Sequence, residues 1–155
     1  NAFSGPITID STGKTIAQAT DTTRNYAAIS MGQGDSALSL LTICGETAVS
    51  GAVGIGSSQG SILIDASALE ITATYAGIIN STSSSETKIT VQNSAQVSIT
   101  SSGPAGISAS SGTVEIADST VTVQAASSAY TALPTLTYTD SYQRPAAPAR
   151  LTETT

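Results

Sequence analysis

Ile62-Leu63-Ile64-Asp65-Ala66-Ser67, Ile89-Thr90-Val91-Gln92-Asn93-Ser94 and Val114-Glu115-Ile116-Ala117-Asp118-Ser119 write one short pattern three times. Each copy continues with a second apolar pair spaced by one residue: Leu69/Ile71, Val97/Ile99 and Val121/Val123. The first two copies then reach a Gly-Ile step, at Gly77-Ile78 and Gly106-Ile107. Alternation of apolar and polar residues marks half-buried strands, and a pattern that recurs every 20 to 50 residues marks a stacked repeat.

Working outward from these copies, the first strand of the unit also aligns with Ile7-Thr8-Ile9, Leu41-Thr42-Ile43 and Leu136-Thr137-Tyr138. The steps between starts are 34, 21, 27, 25 and 22 residues. No segment has a helical period, and one such unit cannot bury its apolar edge alone. Stacking the units buries a continuous inner column, with each strand pairing to the same strand one coil away. The expected fold is therefore all-β, a right-handed parallel β-helix (β-solenoid) of about five to six coils, with handedness taken from the crossover preference. An antiparallel sandwich also has short, regularly spaced strands. Against it, no Asn-Gly or Asp-Gly hairpin signal separates the copies. The turn also repeats by column: Ala66, Asn93, Asp118 and Asp140, each followed by serine at Ser67, Ser94, Ser119 and Ser141.

The β-helix domain is expected over residues 1–142, followed by a Pro/Ala-rich tail or cap over 143–155, where Pro145 and Pro148 cannot donate to a ladder. The first coil is irregular, interrupted from Ala17 to Asn25 and again from Met31 to Ala37. Such insertions project loops, where function concentrates, or they cap the open end of the stack. Asn80 to Thr87 reads as a flexible polar loop.

Composition narrows the function. Net charge is −6 and the five basic residues are scattered, which leaves no phosphate-tracking stripe for nucleic acid. No apolar run is long enough for a membrane-spanning helix. The chain has no His and one Cys, so His-based triads and zinc sites of the usual kind are ruled out, and Cys44 has no internal disulfide partner. Low charge with abundant Ser and Thr suits an exported bacterial protein, secreted or held on the cell surface.

Two sets of residues are candidates for ligand contact. Tyr26, Tyr75 and Tyr130 stand three residues before Ile29, Ile78 and Leu133, so alternation points their rings outward, where tyrosines stack on sugar rings or pack on a neighbouring loop. Asp118 and Asp140 share a turn column in successive coils. Carboxylates that close repel unless a cation lies between them, and calcium is the ion that oxygen donors there would take; Asp and Ser are equally ordinary turn formers. Outward Thr8, Thr42, Thr90 and Thr137 hint at an ice-binding array, but Leu63 and Glu115 break it.

The phrases Leu41-Thr42-Ile43-Cys44-Gly45-Glu46, Gly54-Ile55-Gly56, Ile62-Leu63-Ile64-Asp65 and Ala76-Gly77-Ile78 resemble repeats of carbohydrate-binding and adhesin-like right-handed β-helix modules of bacterial surface proteins. That resemblance implies glycan or acidic-sugar binding, sometimes with calcium. The expectation is thus a non-catalytic extracellular module whose partner is a polysaccharide or cell-surface glycan. The alternatives are a structural stalk of a larger surface protein, or a polysaccharide lyase using Arg24 with Asp21 or Asp35.

Overall fold

The computed structural model describes residues 6–10, 12–24, 26–31, 39–82, 84–103 and 105–125, together with the backbone of 128–131 and 136–139. These residues are all-β. The strands are β1 (Ile7–Ile9), β2 (Thr15–Gln18), β3 (Ala27–Met31), β4 (Leu40–Ile43), β5 (Glu46–Ser57), β6 (Ser61–Asp65) and β7 (Ala68–Asn80). They continue as β8 (Lys88–Gln92), β9 (Gln96–Ser101), β10 (Ala105–Ala109), β11 (Thr113–Ala117), β12 (Thr120–Ala125), β13 (Ser128–Thr131) and β14 (Leu136–Thr139). Every pairing between them is parallel, which makes the fold a β-solenoid.

Face 1 is one sheet in the order β1-β4-β6-β8-β11-β14. Its register stacks Ile7, Leu41, Ile62, Ile89, Val114 and Leu136, as the repeat predicts. β5 and β7 are long because each runs along one face, bends, and continues along the next. Face 2 holds β2, the first halves of β5 and β7, β9 and β12, and stacks Ala17, Val49, Ile71, Ile99 and Val123. Face 3 holds β3, the second halves of β5 and β7, β10 and β13, and stacks Ile29, Ile55, Ile78 and Ile107. The three inward columns meet in one core, where Ile43, Ile55, Ile62, Ile64, Ile78, Ile89 and Ile107 have no solvent exposure.

Three complete turns, 40–60, 61–87 and 88–112, form the regular body, fewer than the five to six coils expected. The first unit extends the same sheets but is not another copy of the coil. Seven residues, 20–26, separate its faces 2 and 3, where one residue, Ala52, does so in the next turn.

The corner between faces 1 and 2 is made by backbone geometry. Ala66 (φ 48°), Asn93 (φ 58°) and Asp118 (φ 46°) adopt the left-handed conformation one step after the last face-1 pair, and Gly45 (φ 73°) does so two steps after Ile43, so the turn stacks as a column. Only glycine enters this region freely; Asn and Asp tolerate it, and alanine is strained. The serine column is different from the expectation. Ser67 and Ser119 are buried, but Ala95 takes the matching place, and Ser94 is an extra exposed residue with φ 62°. The ladder shows why: Gln96 N donates to Ser67 O and Thr120 N to Ala95 O.

The segment 80–87 is stitched rather than loose. Asn80 Nδ2 donates to Gly60 O at 3.1 Å, Thr82 N to Asn80 Oδ1 at 3.2 Å, and Thr87 Oγ1 to Ser84 O at 3.0 Å. Asn80, Thr82 and Thr87 are buried, so their polar groups need these internal partners. Residues 32–38, the 142/143 boundary and the tail lie outside the described residues.

The Gly-Ile step is steric. A Cβ on Gly77 would run into Ile99 Cγ2 and lie 2.7 Å from Gly106 O, and one on Gly54 would meet Ile71 Cγ2 and lie 2.6 Å from Gly77 O. Gly77→Ala is expected to lower stability by about 1–3 kcal/mol through overpacking, read as a lower urea midpoint. Gly13→Ala, with open space at its Cβ, leaves the midpoint unchanged. The turn column generates a pair of opposite sign. Gly45→Ala should destabilise by about 1 kcal/mol, while Ala66→Gly should stabilise by about 0.5 kcal/mol, as a matched comparison of thermal midpoints.

Candidate functional site

The corner between faces 2 and 3 changes length from turn to turn, and this variation presents the aromatic side chains. β5 crosses it with Ala52 alone, whereas β7 inserts Thr74 and Tyr75, and the pairing register shifts between Gly51 and Val53. One extra residue opposite fewer makes a β-bulge, which bends the strand and re-aims a side chain. Thr74 and Tyr75 lie in that bulge, and Tyr75 is 40% exposed. Its backbone is held from the next turn: Ser101 Oγ donates to Tyr75 O at 3.3 Å, Ser102 N donates to Ala73 O, and Gly103 packs so tightly on the Tyr75 backbone that no Cβ would fit. Tyr26 ends the longer 20–26 crossing, is 57% exposed, and accepts from Val53 N through its carbonyl at 3.2 Å.

Tyr26 and Tyr75 therefore occupy the same corner, immediately before the paired column Ala27, Val53, Ala76 and Ala105, with buried Ala52 between them. They are two rungs apart, roughly 9.6 Å along the axis. Tyr130 does not belong to this column. Its strand pairs Ala105 with Ser128 and Ile107 with Tyr130, which puts Tyr130 in line with Ile29, Ile55, Ile78 and Ile107. Spacing to Leu133 misplaced it by three residues, because the pairing follows the strand and not the next aliphatic residue.

The loop before Tyr26 is locally ordered. Thr23 N and Oγ1 both donate to Asp21 Oδ1, at 3.0 and 2.6 Å, and these bonds hold the Asp21 carboxyl below the usual carboxylate range. Arg24 Nη1 donates to Tyr26 Oη at 3.4 Å. Asp21 is thus engaged by Thr23, and Asp35, the other carboxylate considered with Arg24, lies outside the described residues. A shallow hollow of about 200 Å³ lies beside Tyr26 on face 3, lined also by Ser30, Gly56, Ser58, Ile79 and Ser81.

The charged side chains lie elsewhere. Strands β3, the second halves of β5 and β7, and β10 contain none. Lys14 pairs with Glu46 at 3.2 Å, close to Glu70 in a second hollow, and Lys88 pairs with Glu115 at 3.6 Å on face 1. These pairs are exposed and contribute little to stability.

Asp118 stands exposed at the first corner, while Ser119 Oγ donates to Ala117 O and accepts from Ala95 N. That hydroxyl is committed to the turn, and among the described residues no three His, Cys, Asp or Glu side chains converge. Asp140, the other carboxylate of the calcium expectation, lies outside the described residues. Asp118 itself takes the left-handed turn conformation, φ 46°. Asp65 is likewise tied to its neighbouring rung, accepting from Gln92 Nε2 at 3.1 Å and Asn93 Nδ2 at 2.5 Å. The Thr column on face 1 is in register, with Leu63 and Glu115 interrupting it.

Cys44 follows the Ile43 rung and points out of the core, half-buried between the rungs of Asp10 and Asp65. Burial pushes its thiol pKa up, and the two carboxylates push it further. No protein-family model matches the chain, and no curated protein or solved structure matches it either.

A raised thiol pKa means less thiolate at neutral pH, and thiolate is the form that reacts. Alkylation of Cys44 by iodoacetamide should be slower at pH 7.5 than for an unstructured thiol. Asp65→Asn removes one neighbouring anion and should speed it; an unchanged rate would show that Asp65 does not act on the thiol.

Proposed function

We propose that this domain is a non-catalytic extracellular module of a bacterial surface, built as a right-handed coil, that holds a glycan against the corner bearing Tyr26 and Tyr75. The observation that carries this reading is the exposure of two tyrosines, 57% for Tyr26 and 40% for Tyr75, on one corner of the scaffold. A tyrosine ring offers an apolar face and a polar tip, which suits a sugar ring with its C–H face and hydroxyl rim. The backbone under both rings is fixed by inter-rung hydrogen bonds, so little conformational freedom is lost on contact. The described strands of face 3 add a surface without charged side chains beside them.

A glycan array, or sedimentation with insoluble polysaccharides, tests the reading with the full chain. Binding is expected, and Tyr26→Ala and Tyr75→Ala should each weaken it about tenfold, or about 1.4 kcal/mol. Both rings are exposed, so thermal midpoints should stay close to that of the parent chain. Binding to no glycan of the panel sinks the reading.

A further inference from the structure

Tyr26 and Tyr75 share a corner, but their surroundings differ. Tyr26 forms one wall of the face-3 hollow of about 200 Å³. The outward column there runs Ser30, Gly56, Ile79 and Ser108, so the missing side chain at Gly56 opens a gap between Ser30 and Ile79. A Cβ on Gly56 would lie 2.9 Å from Ala27 Cβ, so the gap is bounded closely on that side. The hollow has apolar surface from Ile79 and the Tyr26 ring, and hydroxyls at its edge from Ser30, Ser58 and Ser81. Ser81 Oγ has a long bond to Ser57 O at 3.4 Å, while Ser30 and Ser58 hydroxyls make no hydrogen bond to another described residue.

From this geometry we infer that the hollow beside Tyr26 seats an uncharged sugar ring of a neutral polysaccharide. The inference rests on the glycan reading above and narrows it to one class of ligand and one place. A sugar ring would lay its C–H face on Ile79 and the Tyr26 ring and exchange hydrogen bonds with Ser30 and Ser58. Charge excludes the acidic sugars. Among the described residues, no ionisable group other than the Tyr26 phenol lines the hollow and the face-3 strands carry no cation, while the chain has net charge −6. A uronate carboxylate there would lose water without gaining a partner. Arg24 Nη1 donates to the Tyr26 phenol oxygen, and Arg24 is not among the described residues that line the hollow. The other two hollows fit less well: one is lined by Lys14, Glu46 and Glu70, and the other by Gln18 and Thr/Ser side chains with no aromatic wall.

The test compares immobilised neutral and uronate polysaccharides with the full chain and three variants. Ser30→Gln and Ser81→Gln fill the hollow from opposite sides without adding charge. Thr122→Gln, on an exposed face-2 position, is the control. The expected result is a preference for the neutral polymer of about tenfold or more, lost to a similar degree in Ser30→Gln and Ser81→Gln and kept in Thr122→Gln. Equal or stronger binding to the uronate polymer overturns the inference. So does binding that both hollow-filling variants retain; if Tyr26→Ala or Tyr75→Ala still abolishes it, the glycan reading stands and only the hollow is wrong. Absence of binding to every polymer overturns both. Circular dichroism and a melting curve on each variant confirm that a lost signal reports the surface and not the fold.

Discussion

Every strand of this chain is held by the same strand one rung away, and the rest of the structure follows from that constraint. In-register parallel pairing forces each position to stack on its own equivalent: Ile62 on Leu41 and Ile89, Ile78 on Ile55 and Ile107. An aliphatic residue in an inward column between two rungs is therefore covered above and below by its own kind and is fully buried, whereas Ile7, Ile9, Ala17 and Ile29 of the first rung are only partly buried. The same rule applies to irregularities. A turn that needs a left-handed residue needs it in every rung, and Gly45, Ala66, Asn93 and Asp118 meet that demand with different degrees of ease.

Stacking also determines where variation is tolerated. Inside a face, a change of length would slip the whole column, because a one-residue shift turns every side chain to the opposite surface. At the corner between faces 2 and 3 the chain crosses with one residue at Ala52 and two at Thr74-Tyr75 without disturbing the strands that follow. The paired columns resume at Val53, Ala76 and Ala105. Where the crossing is longer its side chains leave the core, as Tyr26, Thr74 and Tyr75 do, whereas the single Ala52 stays buried. The charge distribution divides in the same way: among the described residues, ion pairs stand on faces 1 and 2 and none on face 3.

Much of this was legible in the sequence. Strict alternation in short segments gave the strands, and the repeated Ile-x-Ile pairs gave the face-1 register from Ile7 to Leu136 without error. The corners were harder. The serine after the turn looks equivalent at Ser67, Ser94 and Ser119, yet the extra residue in Asn93-Ser94-Ala95 moves Ala95 into the buried place. Tyr130 looks equivalent to Tyr75 for the same reason and is three residues out of column. Asn80 to Thr87 reads as loose because it is polar, and its hydrogen bonds to Gly60 and within itself are invisible to composition.

The sequence alone determined the all-β solenoid, the parallel stacking and the identity of the inward columns, because alternation and repetition are local properties of the chain. Tertiary structure decided which residues share a corner, how many regular turns there are and which surface is free of charge. Those depend on how many residues each corner consumes, and only pairing across rungs counts them. The three copies that begin at Ile62, Ile89 and Val114 thus specify a scaffold. The tyrosine corner and the hollow beside it arise where the copies differ in length.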